Sequence, residues 1–372
     1  MRIAALSLHA TSGWPEMGTE ALTPGLHVFH GPSASGKSTV ADLVTHAIYG
    51  RRFVPDAAQP ASPEGEVIVE HRQRHYRLRR SHDETAGERL TVSALDQSAV
   101  DQDTVRQLVA CLSPALLRPL FAMSFREPAR LDWVLSAEFA HEFRAALWQL
   151  KWAPPTVESQ LRPLYARLRA LETQVGELVR RMDSPLETEA KAIRARTRTR
   201  ARRASHFLAL LTDGELVRLR LGRNGKACVI TRDGDALAVE SLWSTQKDLV
   251  YMSLCFALIS SLRRHGVRLP VVLDEPFARL DARTAAALVD VLDRLAARGH
   301  QVLVFTGRQE VARRFGEIRA TVHEMAALQG VRVAASAKPQ AVVEPVHEEH
   351  DAPVRRMRRR VKTTRVEHRE AG

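Results

Sequence analysis

The chain has 372 residues, 45% hydrophobic and 26% charged, which is the balance of a globular protein able to bury a substantial core. Three distant cysteines, Cys111, Cys228 and Cys255, without any C-x-x-C, argue against a disulfide framework and a structural zinc site and for a reducing compartment. A net charge of +12 and a pI near 10.3 fit a polyanionic partner or a solubilising basic surface.

The N-terminal run Met1–Leu8 reads as a strand, too short and too early for a signal peptide. No apolar run approaches the ~20 residues of a membrane span, so a cytoplasmic protein with no membrane partner is expected. A turn at Thr23-Pro-Gly25 leads into a second strand, Leu26–His30, and then into Gly31-Pro-Ser-Ala-Ser-Gly-Lys-Ser-Thr39. That stretch matches G-x-x-x-x-G-K-[ST] at Gly31, Gly36, Lys37 and Ser38, and a helical pattern follows from Ser38 to Ile48, closed by Gly50. The pattern implies an ATP phosphate cradle made by Gly31, Pro32, Ser33, Ala34, Ser35, Gly36, Lys37, Ser38 and Thr39. Glycines let backbone N–H groups wrap the phosphates at a helix N-terminus. Lys37 neutralises the β- and γ-phosphates, and the Ser38 hydroxyl takes one Mg²⁺ position.

Residues 51–65 read as a loop rich in Pro, Ala and Gly. Glu66–Glu70 and His75–Arg79 are strand candidates able to pair antiparallel, with a third near Leu90–Ser93. From Asp101 to Leu150 the pattern is helical, punctuated by Pro114, Pro119 and Pro128. Leu161, Leu164, Leu168, Leu171, Val175, Leu178 and Met182 then form a heptad seam, broken at Asp183-Ser-Pro185 and resumed more weakly from Ala190 to Leu211. Two ordinary packed helices fit the spacing as well; the reading taken is a short antiparallel helical hairpin. Lys191–Arg203 holds seven basic residues and no acidic one, so this arm is expected to be solvated or to lie against something acidic.

Glu215–Leu221 and Ala227–Thr231 flank a turn at Asn224-Gly225 and read as a β-hairpin. Residues 245–264 are apolar and helical. Val271-Val-Leu-Asp274-Glu275 is a buried-strand run ending in two acids, followed by a helix over Ala282–Arg298 and a strand over Gln301–Phe305. Beyond Val333 the composition reads as a disordered basic tail. An acid ending a parallel strand sits at the mouth of the sheet, where nucleotides bind, so Asp274 is the second candidate Mg²⁺ ligand, through water. Glu275 is the candidate group that orients or deprotonates the attacking water. His347-Glu-Glu-His350 reads as solvated charge in the tail, not a metal site. The cysteines read as small buried hydrophobes.

The first strand, Pro24–His27, the P-loop, the central helical hairpin and Leu273-Asp-Glu-Pro-Phe-Ala-Arg-Leu-Asp281 together resemble the SMC/RecF/SbcC-type ABC ATPases, most closely the YhaN-like AAA proteins. The resemblance spans about residues 1–320 and is specific at 31–39 and 270–281. It implies an α/β P-loop NTPase head: an N-terminal lobe (1–155), an inserted hairpin (156–212), a C-terminal lobe (213–332) and the tail (333–372). It implies a homodimer of heads sandwiching two ATP, with Asp281 in a loop across the interface, acting on DNA in repair, recombination or chromosome maintenance. A nuclease partner and association with the nucleoid come with that resemblance. The basic 191–203 segment and the tail are the expected DNA contacts.

Three positions depart from the family pattern. Trp243 falls where the signature serine lies and Thr245 where its glycine lies, leaving Ser241 or Ser244 to substitute. Arg308 falls in the place of a switch histidine, where an arginine reaches a γ-phosphate but does not titrate. No glutamine stands near Phe121–Phe125, and the hairpin carries no C-x-x-C hook. ATP binding follows from the motifs; fast hydrolysis does not, and a nucleotide-gated scaffold with weak turnover is the alternative. The inserted hairpin and the missing signature count against a transporter subunit.

Overall fold

The protein is described from a computed structural model, which covers residues 1–9, 15–19, 21–50, 64–83, 87–101, 104, 114–125, 131–152, 201–221, 227–331 and 341–343. In chain order the strands are β1 (Arg2–Leu8), β2 (Met17–Thr19), β3 (Leu26–His30), β4 (Gly65–His71), β5 (Arg74–Asp83), β6 (Gly87–Ala94) and β7 (Ala122–Ser124). They continue with β8 (Leu216–Leu221), β9 (Ala227–Thr231), β10 (Ala236–Ala238), β11 (Val271–Asp274), β12 (Val302–Thr306), β13 (Ala320–Glu324) and β14 (Ala341–Val343). The helices are α1 (Lys37–Tyr49), α2 (Pro114–Phe121), α3 (Leu131–Leu135), α4 (Ala137–Trp152), α5 (Ser244–Arg264), α6 (Ala282–Ala297) and α7 (Gln309–Gly316), with a further helical stretch at residues 201–211.

A five-stranded sheet in the order β13-β3-β12-β11-β7 positions the site. Every pairing in it is parallel. Parallel sheets are covered on both faces, and this one shows why the sequence reads as it does: β11 and β12 are buried at every residue. Its strands come from both ends of the chain, β3 and β7 before the 156–212 segment and β11, β12 and β13 after it. The architecture is α/β, as expected, and the distant segments share one sheet.

A six-stranded antiparallel sheet, β14-β6-β5-β4-β1-β2, lies beside it. The three strands anticipated around residues 66–93 are its centre, with Tyr76 opposite both Val69 and Ala94. Gln301 splices the two sheets together. Its amide donates to the carbonyls of Ile3 (2.8 Å) and Thr23 (3.1 Å), and its oxygen accepts from the Ile3 N–H (2.6 Å). Tyr49, the last residue of α1, donates to the Pro270 carbonyl and so ties that helix to the residue before β11.

The hairpin β8–β9 forms as expected, and β10 extends it to three strands. Residues 201–211 pack on it: Ala204, Leu208 and Leu211 are buried, and the Ser205 hydroxyl accepts from the Leu219 N–H at 2.9 Å. α5 is buried without a break from Asp248 through Ile259, and each buried Leu, Ile, Val, Met or Phe is worth roughly 1.5–3 kcal/mol of transfer free energy. The Tyr251 hydroxyl donates to the Pro119 carbonyl at 2.5 Å, which ties α5 to α2. β14 falls within the segment read as a tail. The heptad seam, Lys191–Arg200, Cys111, the Asn224-Gly225 turn, the His347–His350 pair and the rest of the tail lie outside the described residues.

Candidate functional site: a phosphate cradle at the mouth of the parallel sheet

The P-loop connects β3 to α1. Ala34 has φ 63° and Gly36 φ 90°, two left-handed residues of the kind from which an anion nest is built. The Gly31 N–H donates to the Thr306 carbonyl (3.4 Å) and the Ser35 N–H to the Pro32 carbonyl (3.3 Å). Ser33 and Pro32 are exposed at the loop's tip, and Thr39 is half-buried in the first turn of α1. The Ser35 hydroxyl is buried with no partner. An orphaned hydroxyl in a loop with left-handed turns at Ala34 and Gly36 fits an anionic ligand.

Lys37 is 5% exposed, and its ammonium donates to the carbonyls of Gly31 and Pro32, each at 2.8 Å. It also pairs with Glu275 Oε1 at 3.6 Å. Next to it the Ser38 hydroxyl donates to Asp274 Oδ1 at 3.4 Å. Residues 236 positions apart in the chain thus meet at one place. The sheet dictates this: β12 lies between β3 and β11, so the C-terminal ends of all three strands open toward the P-loop.

Asp274 is buried, and its second oxygen accepts from the Ser124 hydroxyl at 3.4 Å. Ser124 ends β7 directly opposite Asp274, and the Phe125 N–H donates to the Asp274 carbonyl at 3.0 Å. The sequence reading missed Ser124, since β7 is three residues long and shows no periodicity. Where the family pattern has a glutamine, near Phe121–Phe125, a hydroxyl stands here.

Glu275 has φ 51°, left-handed for a residue with a side chain. Such a backbone costs roughly 1–2 kcal/mol. The turn directs the carboxylate back over the P-loop, where Oε2 accepts from the Gly307 N–H at 3.3 Å. Gly307 is a second residue that the sequence did not single out. A Cβ there would stand 3.6 Å from Lys37 Nζ, 3.6 Å from Glu275 Oε1 and 3.5 Å from the Gly31 carbonyl, so its bare backbone lies against the Lys37–Glu275 pair.

Arg308 was expected to face a phosphate. In this structure its Nη1 donates to the carbonyls of Phe277 (2.9 Å) and Leu280 (2.6 Å), and Nη2 lies 3.5 Å from Glu310 Oε2. The guanidinium thus braces the loop that follows Glu275. Asp281 caps α6: Oδ1 accepts from the Thr284 N–H (2.8 Å) and Oδ2 from its hydroxyl (3.1 Å). The backbone bond from Thr284 holds this carboxyl below the usual range. Trp243 is 80% exposed at the N-cap of α5, and its N–H donates to the Gln246 side chain at 3.2 Å. Thr245 is half-buried in the first turn, and Ser241 and Ser244 are exposed beside it.

Cys255 is fully buried, and desolvation pushes its thiol well above the usual range, so it packs as a small hydrophobe. Cys228 is half-buried. Among the described residues no group of three or more His, Cys, Asp or Glu is placed to hold a metal. Mg²⁺ does not need one, because it binds through one or two carboxylates, waters and substrate phosphate. Asp274 between two hydroxyls supplies that donor set. Among the described residues no helix is long and apolar enough to cross a membrane.

No family model matches the chain, and no curated protein does. Among the solved structures similar to it are three SMC heads. One is the Smc head domain with an extended coiled coil bound to the C-terminal domain of ScpA, from Pyrococcus furiosus (17% identity, TM-score 0.49, covering 83% of this chain and 90% of that one). A second is the SMC head domain from Thermotoga maritima (16%, 0.46, 84% and 92%). The third is an SmcHead bound to the C-winged helix domain of ScpA (14%, 0.49, 84% and 91%).

Proposed function

We propose that this chain binds ATP with Mg²⁺ at residues 31–39 and hydrolyses it. The observation that carries this is the meeting of two segments distant in the chain: Lys37 with Glu275 and Ser38 with Asp274. The backbone N–H groups around Ala34 and Gly36 hold the phosphates, and Lys37 supplies the positive charge they require. Ser38 and Asp274, joined by Ser124, would hold the metal, which would neutralise phosphate charge when bound. Glu275 accepts a proton at its carboxylate from the attacking water as that water's oxygen bonds the γ-phosphorus and the bridge to the β-phosphate breaks. The Gly307 N–H keeps the carboxylate aimed.

The wider reading is an SMC/RecF-like, YhaN-like head that forms a homodimer on ATP and acts on DNA. Support for it comes from the motif at 270–281 and from the seven basic residues of Lys191–Arg203, whose arginines would contact phosphate without reading sequence. Partnership with a nuclease rests on the resemblance alone.

Calorimetry with ATP and Mg²⁺ tests the core of this reading. Lys37→Ala should abolish binding, and Glu275→Gln should bind ATP, release phosphate slowly and accumulate as a dimer. Undiminished ATP affinity in Lys37→Ala refutes the cradle; a monomeric Glu275→Gln protein at saturating ATP refutes the sandwich. Gel shifts at two salt concentrations, with Lys191–Arg203 neutralised, test DNA contact, and salt-insensitive binding removes it. A second reading, a nucleotide-gated scaffold, is favoured by the engagement of Arg308 with Phe277 and Leu280. Intact ATP binding with background phosphate release would select it.

A further inference from the structure

The loop from Glu275 to Asp281 leaves the site as consecutive tight turns, with Ala278 N–H donating to the Glu275 carbonyl (3.2 Å) and Leu280 N–H to the Phe277 carbonyl (3.1 Å). Arg308 clamps the same stretch through two carbonyls, and Phe277 is fully buried against the edge of Phe315. Four hydrogen bonds and one anchored ring make the loop a single body, so displacement at one end reaches the other. Its first residue meets the P-loop lysine. Its fifth, Arg279, points away from the site and donates from Nε (3.0 Å) and Nη2 (2.6 Å) to one oxygen of Asp248.

Asp248 is 4% exposed and stands in the second turn of α5, five residues after the exposed Trp243. Burial pushes its carboxyl up, and Arg279 pulls it back toward the charged form. A carboxylate buried this deeply is costly without its cation, so the pair resists opening. Movement of the loop is then passed to the α5 N-terminus. Nucleotide supplies a reason to move: a triphosphate at Lys37 competes with Glu275 for the ammonium and repels its carboxylate.

We infer that the Arg279–Asp248 ion pair is a positioning strut, coupling occupancy of the phosphate cradle to the first turn of α5 and the surroundings of Trp243. This rests on the ATP reading and deepens it. Neither residue touches the cradle, so removing the strut leaves affinity for ATP in place and removes only the transmitted change.

The test uses the full chain and tryptophan emission on adding ATP with Mg²⁺, with Trp243→Phe supplying the subtraction that isolates Trp243, and calorimetry reporting binding separately. ATP should change the Trp243 emission. Arg279→Gln and Asp248→Asn should bind ATP with unchanged affinity and lose that change, and Arg279→Lys should restore part of it. If Asp248→Asn fails to fold, Arg279→Gln carries the test from the more exposed side of the pair. A full Trp243 response in Arg279→Gln overturns the strut, as does ATP binding to the unaltered chain without a Trp243 response. Absence of binding to the unaltered chain overturns the ATP reading itself, and calorimetry distinguishes that failure from the other two.

Discussion

Gly307 and Gly31 lie side by side at the cradle, and alanine at each should remove function while moving stability in opposite directions. At Gly307 an added Cβ meets its three nearest atoms at 3.5, 3.6 and 3.6 Å, ordinary van der Waals contact, and φ lies outside the left-handed region. The folded protein takes the methyl without displacement, and the unfolded chain loses glycine's freedom, a stabilisation of about 0.4–1 kcal/mol. At Gly31 the added Cβ stands 2.6 Å from Ser35 Oγ and 2.9 Å from Cβ of Met325, a fully buried side chain. Overpacking of that kind costs about 1–3 kcal/mol.

Function should fall in both. The Gly307 methyl would stand beside the Lys37–Glu275 pair, 3.6 Å from each charged atom, on the side where the terminal phosphate and its water must enter. A displacement of about 1 Å at a reacting centre costs ~100-fold in rate. Thermal melts with single-turnover phosphate release should therefore show Gly307→Ala melting at or above the unaltered protein with turnover about 100-fold down. Gly31→Ala should melt lower and be equally inactive. Turnover in Gly307→Ala close to that of the unaltered protein would refute the assignment of that place to the phosphate, and a lower melt would refute the packing argument.

Gln301→Leu removes one acceptor and two donor bonds, leaving the buried Ile3 N–H unpaired, and should cost about 1–3 kcal/mol by urea unfolding; no loss would show that the two sheets do not depend on this splice. Asp281→Ala should cost ~1 kcal/mol through the lost cap on α6 and Asp281→Asn only a few tenths, so an Asn variant that is stable yet fails to dimerise on ATP would assign Asp281 a role beyond capping. His300 and His323 are both held down to about 4, chiefly by burial, against an unfolded value near 6.5. Between those values the unfolded chain binds more protons, so stability should fall as pH drops from about 6.5 toward 4, by up to ~1.4 kcal/mol per pH unit for each ring, and stay flat from these groups above 7. Urea midpoints equal at pH 7 and pH 5 would contradict this.

The parts of the site legible in the sequence are those where backbone geometry dictates residue type. Gly36 and Lys37 are readable because a phosphate cradle needs a left-handed turn and a cation at fixed spacing. β11 is readable because a strand buried on both faces must be apolar until its end, where Asp274 stands. Ser124 is not, because its importance comes from the register of β7 against β11, which three residues do not announce. The direction of Arg308 is equally hidden. Its partners are carbonyls 28 and 31 residues earlier in the chain, and any residue type offers a carbonyl.

Of the seven left-handed non-glycine residues among those described, two stand at the site. Ala34 and Glu275 both take left-handed backbone without being glycine, one on each of the two segments that meet at Lys37, at roughly 1–2 kcal/mol apiece. Strain of this kind persists only where surrounding contacts over-determine the backbone. Around Glu275 those contacts are visible: its N–H donates to the Phe305 carbonyl at 2.9 Å, its own carbonyl accepts from Ala278, and Arg308 clamps the residues that follow. The arginine that the sequence assigned to a phosphate thus helps to hold the glutamate in place over the cradle. On this geometry a γ-phosphate needs no contact from Arg308 for the residue to matter to turnover, because releasing the loop would let Glu275 relax to an ordinary backbone and swing away from Lys37.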